Sequence, residues 1–76
     1  MRKIVALNVL DNFQLELKFS DGNEKRFDFK PYLQFPVFSI LKNREIFQKV
    51  KNCGYFIEWK EYEIDLSADT LWHEGI

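Results

Sequence analysis

The sequence predicts an α+β domain with an antiparallel sheet of about five short strands, one main helix and a short C-terminal helical turn. Apolar and polar residues alternate without a fault over residues 13–19, which is typical of a strand with one buried face. Pro31 and Pro36 end the strand-forming part, and apolar residues at helical spacing follow them. Because 76 residues is the size of one small domain, we expect a single domain over residues 1–76.

The first strand is predicted at Ile4–Leu10, which is β-branched and apolar on both faces. If a tight Asp11-Asn12 turn joins it to the second strand, Ile4 and Ala6 face the core. The opposite face is then formed by Val5, Leu7 and Val9. This apolar face needs a cover, which is either the C-terminal segment of the chain or a partner.

The length of the turn between the second and third strands can be predicted because successive side chains of a strand point to opposite faces. A two-residue loop would place Phe27 on the wrong face of the third strand, Glu24–Phe29. A three-residue loop over residues 20–22, with Gly22 left-handed, pairs Leu15 with Phe27 and aligns the two apolar faces. We therefore predict the three-residue loop.

The main helical segment is predicted between Pro36 and Val50. Pro36 suits the first position of a short helix, and Asn43 suits the N-cap of a second piece over residues 44–49. Six apolar side chains at helical spacing are expected to face the core: Val37, Ile40, Leu41, Ile46, Phe47 and Val50.

Two short strands and a last helical turn complete the prediction. In the strand after Gly54 we expect Tyr55, Ile57 and Trp59 to face inward and Phe56 outward, because the charged residues between and after them belong in solvent. The last strand holds Ile64 and Leu66. Ser67 then caps a helical turn that Gly75 ends, with Asp69 near its N-terminus and an apolar side formed by Ala68, Leu71 and Trp72.

The charge is segregated along the chain although the net charge is only −1. Residues 31–60 carry five basic and two acidic side chains, whereas residues 61–76 carry five acidic and no basic ones. Opposite charges in separate segments favour contact between chains or within one chain. The basic excess is smaller than a nucleic-acid-binding surface usually brings.

No catalytic constellation, cofactor motif or metal-ligand set is recognisable. Cys53 stands in a turn beside Gly54, and the only histidine, His73, is twenty residues away, so a nucleophile–base pair is not indicated. Asp69 and His73 share helical spacing but two ligands do not form a metal site. We expect a protein that is not an enzyme and binds no cofactor or metal. A single cysteine and no apolar leader or membrane span indicate a reducing, cytoplasmic location.

Three elements in order carry a family resemblance over most of the chain. The first element is Leu15-x-Leu17-x-Phe19-Ser-Asp-Gly22 followed by Phe27-Asp28-Phe29. The second element is Phe38-x-x-Leu41 followed by Phe47 and Val50. The third element is Trp59, followed by Asp65-Leu66-Ser67-Ala68-Asp69-x-Leu71-Trp72. Together they resemble a prokaryotic family of small proteins known as domain of unknown function 2442.

The resemblance implies an α+β fold with an antiparallel sheet and one main helix, and it implies no activity. It also suggests a locus shared with another small protein, of the toxin–antitoxin kind. Where many members have an Asn-Gly turn after the tryptophan, this chain has Lys60-Glu-Tyr-Glu63, and its closing aromatic is Trp72 rather than Tyr.

The function that these observations favour is protein interaction, with another small protein or with a second copy as a homodimer. The predicted contact residues are Val5, Leu7, Val9, Phe56, Glu61, Glu63 and Asp65. The alternative is a nucleic-acid-binding accessory domain that uses Lys42, Arg44, Lys49 and Lys51. A third reading is an enzyme that depends on a partner chain.

Overall fold

The computed structural model describes residues 2–76 and contains two three-stranded antiparallel sheets. The strands of the first sheet, in spatial order, are β1 (Ile4–Leu10), β2 (Gln14–Phe19) and β3 (Glu24–Asp28). Those of the second are β4 (Lys51–Asn52), β5 (Phe56–Trp59) and β6 (Ile64–Ser67). The mixture of antiparallel strands and helices agrees with the predicted class.

The prediction of one sheet of about five strands was wrong. The two sheets are joined by hydrogen bonds at Ile4, where the Ile4 N–H donates to the Gly54 carbonyl (2.7 Å) and the Asn52 side-chain amide donates to the Ile4 carbonyl (3.0 Å). β4 has only two residues, so it is too short to continue a ladder from one sheet to the other.

Helical segments separate the sheets and close the chain. Two 3-10 segments, Lys30–Gln34 and Pro36–Lys42, are followed by helix α1 (Arg44–Phe47). A third 3-10 segment, Lys60–Tyr62, lies between β5 and β6, and helix α2 (Ala68–Glu74) follows β6. The expected main helix in the middle of the chain is therefore wrong, since α2 with seven residues is longer than α1 with four.

The 3-10 geometry of Pro36–Lys42 also changes which side chains face the core. A 3-10 helix repeats every three residues, so Phe38 and Leu41 lie on one side and pack against the core. Val37 and Ile40, which we expected to be buried, are 62% and 41% exposed.

The caps of both α-helices were predicted correctly. The Asn43 side-chain oxygen accepts from the Glu45 N–H (3.0 Å) and the Ile46 N–H (3.4 Å) at the start of α1. The Ser67 hydroxyl accepts from the Thr70 N–H (3.1 Å) at the start of α2.

The turn between β2 and β3 has the predicted three-residue form. Leu15 is paired with Phe27, the Phe19 N–H donates to the Asn23 carbonyl (2.9 Å), and Gly22 has a φ of 91°. Glycine adopts this left-handed conformation without steric cost. The alternation of apolar residues was therefore sufficient to determine the register.

The predicted face of β1 was wrong. Its turn to β2 has three residues, Asp11–Phe13, rather than two, because Leu10 pairs with Gln14. Nearer its start the register shifts between Ile4 and Ala6, which leaves Val5 as the extra residue of a β-bulge.

The longer turn and the bulge together exchange the faces of most of β1. Leu7 and Val9 lie opposite Leu17 and Leu15 and pack against the core, whereas Ala6 is exposed. Ile4 pairs with Phe19 and is buried as predicted, because the bulge restores the original register there.

In β5 the inward positions are Ile57 and Trp59, as expected, and Phe56 faces outward. Tyr55 was wrongly expected to be buried; it is 50% exposed because it lies in the turn before the strand begins.

Trp59 lies at the centre of the core, which draws on both sheets. Its indole N–H donates to the Phe47 carbonyl at the end of α1 (2.9 Å), and its ring lies 5.5 Å from that of Phe29 and 5.8 Å from that of Phe47. The ring of Phe13 also packs edge-on against Phe47, at 5.3 Å. The Trp59 hydrogen bond joins the second sheet to the helical segment.

The C-terminus is held against the first sheet. The backbone of Ile76 exchanges two hydrogen bonds with that of Arg26, of 2.9 and 3.0 Å, on the outer side of β3. On α2, the Trp72 ring has the Arg2 guanidinium 4.0 Å and the Lys25 ammonium 4.2 Å from its centre. Within residues 2–76 no helix has the length and apolar character needed to cross a membrane.

The two tryptophans provide a matched test of this core. Trp59→Phe leaves the Phe47 carbonyl unpaired and opens a cavity, so we expect the free energy of unfolding to fall by about 2–4 kcal/mol. The Trp72 N–H is buried without a hydrogen-bond partner in residues 2–76, so Trp72→Phe loses no such bond and should cost less than about 1 kcal/mol. Urea unfolding measures both, and equal losses would contradict the assigned role of the Trp59 hydrogen bond.

Candidate interaction surfaces

The register of the second sheet defines its solvent-facing side. Because Ile57 and Trp59 are buried, their neighbours Phe56 and Glu58 point away from the core. Residues paired across two antiparallel strands share a face, so Asp65, the partner of Glu58, also points outward.

Two carboxylates are therefore opposite each other on this outward side. Glu58 and Asp65 form a cross-strand pair, and like charges in that arrangement repel. Lys51 lies opposite Glu58 on β4, but no ion pair within 4.0 Å joins it to either carboxylate. The repulsion between Glu58 and Asp65 is thus not offset by a close ion pair.

Glu58 is half-buried and Asp65 is exposed, and the connection between β5 and β6 adds two more carboxylates, Glu61 and Glu63, both of which are exposed. Glu63 has a φ of 55°, in the left-handed region where glycine or asparagine is favoured. We refer to residues 56–67 as the acidic hairpin. Its outer strand, β6, pairs only with β5 within residues 2–76, so its other edge is open.

The predicted contact residues are divided by the structure. Phe56, Glu61, Glu63 and Asp65 all belong to the acidic hairpin, and Phe56 is 39% exposed. Val5 is exposed but lies on the bulge of β1, in the other sheet. Leu7 and Val9 pack against the core, so they do not form the uncovered face that we expected.

The sequence analysis did not identify several exposed apolar side chains, nor one acidic side chain of the candidate surface. Phe35, Val37, Ile40 and Tyr55 are exposed large apolar residues. The exposure of Val37 and Ile40 follows from the 3-10 geometry, and that of Tyr55 from the early turn described above. Glu58 was not among the predicted contact residues. Its place opposite Asp65 could have been found by pairing the last two predicted strands.

The four basic residues of the alternative reading do not lie on one helix. Lys42 ends a 3-10 segment, and Arg44, at the start of α1, has its guanidinium 3.9 Å from the Asp11 carboxylate. Lys49 and Lys51 instead line a cleft of about 110 Å³ together with Lys60. The same cleft is lined by Trp59, Glu61 and Tyr62.

Cys53 is half-buried in the turn before β5. Burial raises the pKa of its thiol, and the neighbouring Glu58 carboxylate raises it further. A raised pKa lowers the thiolate fraction, which is the opposite of what a nucleophilic cysteine needs. His73 lies on α2 beside Trp72, with the two rings 5.7 Å apart.

In the part of the chain that the structure describes, no three His, Cys, Asp or Glu side chains come together as a metal site would require. Asp69, one of the ligands considered from the sequence, pairs instead with Arg2 at 3.4 Å.

Comparison with known proteins gives a family and no activity. A family model described as "Protein of unknown function (DUF2442)" matches residues 4–76, which is nearly the whole chain. No curated protein and no solved structure matches the chain.

The environment of Cys53 predicts slow alkylation. Because the pKa of the thiol is raised, the pH at which iodoacetamide labelling reaches half its maximal rate should lie higher in the folded protein than in the urea-denatured protein. Mass spectrometry at a series of pH values measures both rates. Equal midpoints would show that the fold does not perturb the thiol.

Proposed function

The chain belongs to the DUF2442 family of proteins of unknown function, and for this member we propose a non-enzymatic module that binds another protein through the acidic hairpin. The observation that carries the proposal is the outward Glu58–Asp65 pair next to the exposed Phe56. The expected partner presents Lys or Arg side chains around an apolar one.

The electrostatic argument concerns what this arrangement costs the free protein. A cross-strand pair of like charges is unfavourable, by roughly 0.2–1 kcal/mol relative to a neutral pair. A partner cation placed between the two carboxylates would convert that repulsion into attraction. The pair is therefore better suited to a complex than to the free chain.

Phe56 supplies the apolar part of the contact. It lies at the start of β5 opposite Ser67, on the same outward side as the two carboxylates. An aromatic side chain surrounded by charges is a common arrangement for a residue that anchors an interface. The open edge of β6 offers backbone groups to which an extended segment of the partner can add as a further strand.

The charge distribution argues for a different protein as the partner. The segment after Lys60 has five acidic and no basic residues, so two identical acidic hairpins would repel each other. A second small protein encoded at the same locus, as the family resemblance suggests, is the natural candidate. Binding of nucleic acid at the Glu58–Asp65 pair is disfavoured, because phosphates are also negative.

If the pair serves binding, removing one of its charges should stabilise the free protein. We expect Asp65→Asn to raise the free energy of unfolding by roughly 0.2–1 kcal/mol. The matched control is Asp69→Asn, which should lower it by a similar amount, because Asp69 pairs with Arg2 and lies at the N-terminus of α2. Urea titrations of both variants measure the two effects, and a destabilising Asp65→Asn would remove the electrostatic basis of the proposal.

Binding itself is tested by quantitative purification from the native host with three baits compared with the unchanged chain. We expect Asp65→Lys and Phe56→Ala each to lose the captured protein, and added salt to weaken its capture by the unchanged chain. Phe35→Ala is the control, since Phe35 is a similarly exposed aromatic residue outside the acidic hairpin.

A captured protein lost equally from all three variants would contradict this assignment of the surface. Concentration-dependent dimerisation that Asp65→Lys abolishes, seen by sedimentation velocity, would replace the proposed partner with a second copy of the chain.

A further inference from the structure

The lysine-lined cleft adjoins the outward Glu58–Asp65 pair, because Lys60 and Tyr62 belong to the acidic hairpin and Lys51 lies opposite Glu58 on β4. The cleft differs from that pair in the sign of the charge that it can bind. We propose that the cleft formed by Lys49, Lys51, Lys60 and Tyr62 binds a phosphate monoester group of a small molecule. The proposal does not depend on the acidic hairpin binding a protein.

The three lysines come from three different elements. Lys49 follows α1, Lys51 is on β4, and Lys60 begins the 3-10 segment after β5. If the lysines only formed the solvent-exposed face of a helix, they would all lie on that helix. Here the tertiary fold brings lysines from three segments together in one cleft. Their convergence is the first argument for a binding site.

These lysines have no carboxylate partner within residues 2–76, a property that they share with Lys3, Lys18, Lys25 and Lys42. The cleft is distinguished by holding three such lysines together. Arg2, Arg26, Lys30 and Arg44 each lie within 4.0 Å of a carboxylate. Among residues 2–76, no such pair involves the three lysines of the cleft. Three neighbouring ammonium groups repel one another, and a bound dianion would relieve that repulsion.

The cleft is supported by the most firmly held part of the core. Trp59 is 1% exposed, its N–H is bonded to the Phe47 carbonyl, and Lys60 directly follows it in the chain. Tyr62 is half-buried against the core at the other side and offers a phenolic hydroxyl as a further donor. The backbone that carries the donors is thus held in place before any ligand binds.

Charge and volume together favour a single phosphate group. Glu61 is the one carboxylate that lines the cleft, so the lining carries three positive charges and one negative charge. A phosphate monoester brings about −1.5 to −2 charges at neutral pH. The volume of about 110 Å³ is well above the ~10–15 Å³ that one water molecule needs, which leaves room for a tetrahedral oxyanion.

A longer polyanion fits the same features less well. Nucleic acid needs a track of basic groups, and Lys42 and Arg44 are not part of the cleft lining. Glu61, one of the lining residues, would also repel adjoining phosphates of a strand. These features favour a small phosphorylated molecule.

The test uses phenyl phosphate and inorganic phosphate as probes of the full-length protein, followed by ¹H–¹⁵N NMR. We expect saturable shifts in the backbone signals of Lys49, Lys51, Lys60 and Tyr62, and tighter binding of phenyl phosphate if the aromatic lining contributes. The double variant Lys49→Gln/Lys60→Gln should weaken binding at least about tenfold, because each lysine contributes a charge-assisted hydrogen bond.

The matched control is Lys18→Gln/Lys42→Gln, which removes the same charge from two exposed lysines outside the cleft. It should change the affinity less than about twofold, since screened surface charges contribute little at a distance. All four lysines are exposed, so an unchanged dispersion of the NMR signals will show that both variants are folded.

Three results would overturn the proposal. Shifts that rise linearly without saturation would show the absence of a site. Equal weakening in the two double variants would show a general effect of net charge. A single-stranded oligonucleotide that displaces phenyl phosphate and shifts Lys42 and Arg44 as well would assign the cleft to nucleic acid.

Discussion

The hydrogen bond from the Trp59 indole to the Phe47 carbonyl is the interaction on which the other parts of the molecule depend. It ties β5 to the end of α1, and it gives a buried carbonyl the partner that burial requires. The rings of Phe29 and Phe47 then pack around the indole, so the end of β3, helix α1 and β5 meet at one side chain. Both candidate surfaces follow from this point, since Trp59 sets the inward side of β5 and also underlies the lysine cleft.

Sequence reasoning succeeded where a periodic pattern was reinforced by a local rule. The register of β2 and β3 could be predicted because only a three-residue turn at Gly22 aligns Leu15 with Phe27. The caps at Asn43 and Ser67 could be predicted because they satisfy local backbone donors. Sequence reasoning failed where a contact with a residue distant in sequence determines the backbone conformation. Phe13 has a left-handed φ of 58°, and its ring packs against Phe47 while its carbonyl accepts from the Phe29 N–H.

The candidate surfaces were predictable to different degrees. The excess of acidic residues after Lys60 was visible in the sequence, and the exposed positions of Glu61, Glu63 and Asp65 agree with it. The opposition of Glu58 and Asp65 depends on pairing between strands, which composition does not reveal. The lysine cleft was still harder to predict from the sequence, because Lys60 is separated in sequence from Lys49 and Lys51 and only the tertiary fold brings the three residues together.

The bulge at Val5 has a consequence for how the length of this chain can change. The turn Asp11–Phe13 has one residue more than a tight hairpin, and the bulge absorbs one residue on the same strand, so the two irregularities cancel at the Ile4–Phe19 pair. At the present chain length, either one alone would turn Ile4 out of the core. Loss of Val5 would straighten β1 and still keep Ile4 opposite Phe19, because Ala6 already pairs with Lys18. Loss of one residue from the turn would leave the bulge in place as long as Leu10 stays opposite Gln14. A relative one residue shorter before β2 can therefore keep Ile4 buried in either of these two ways.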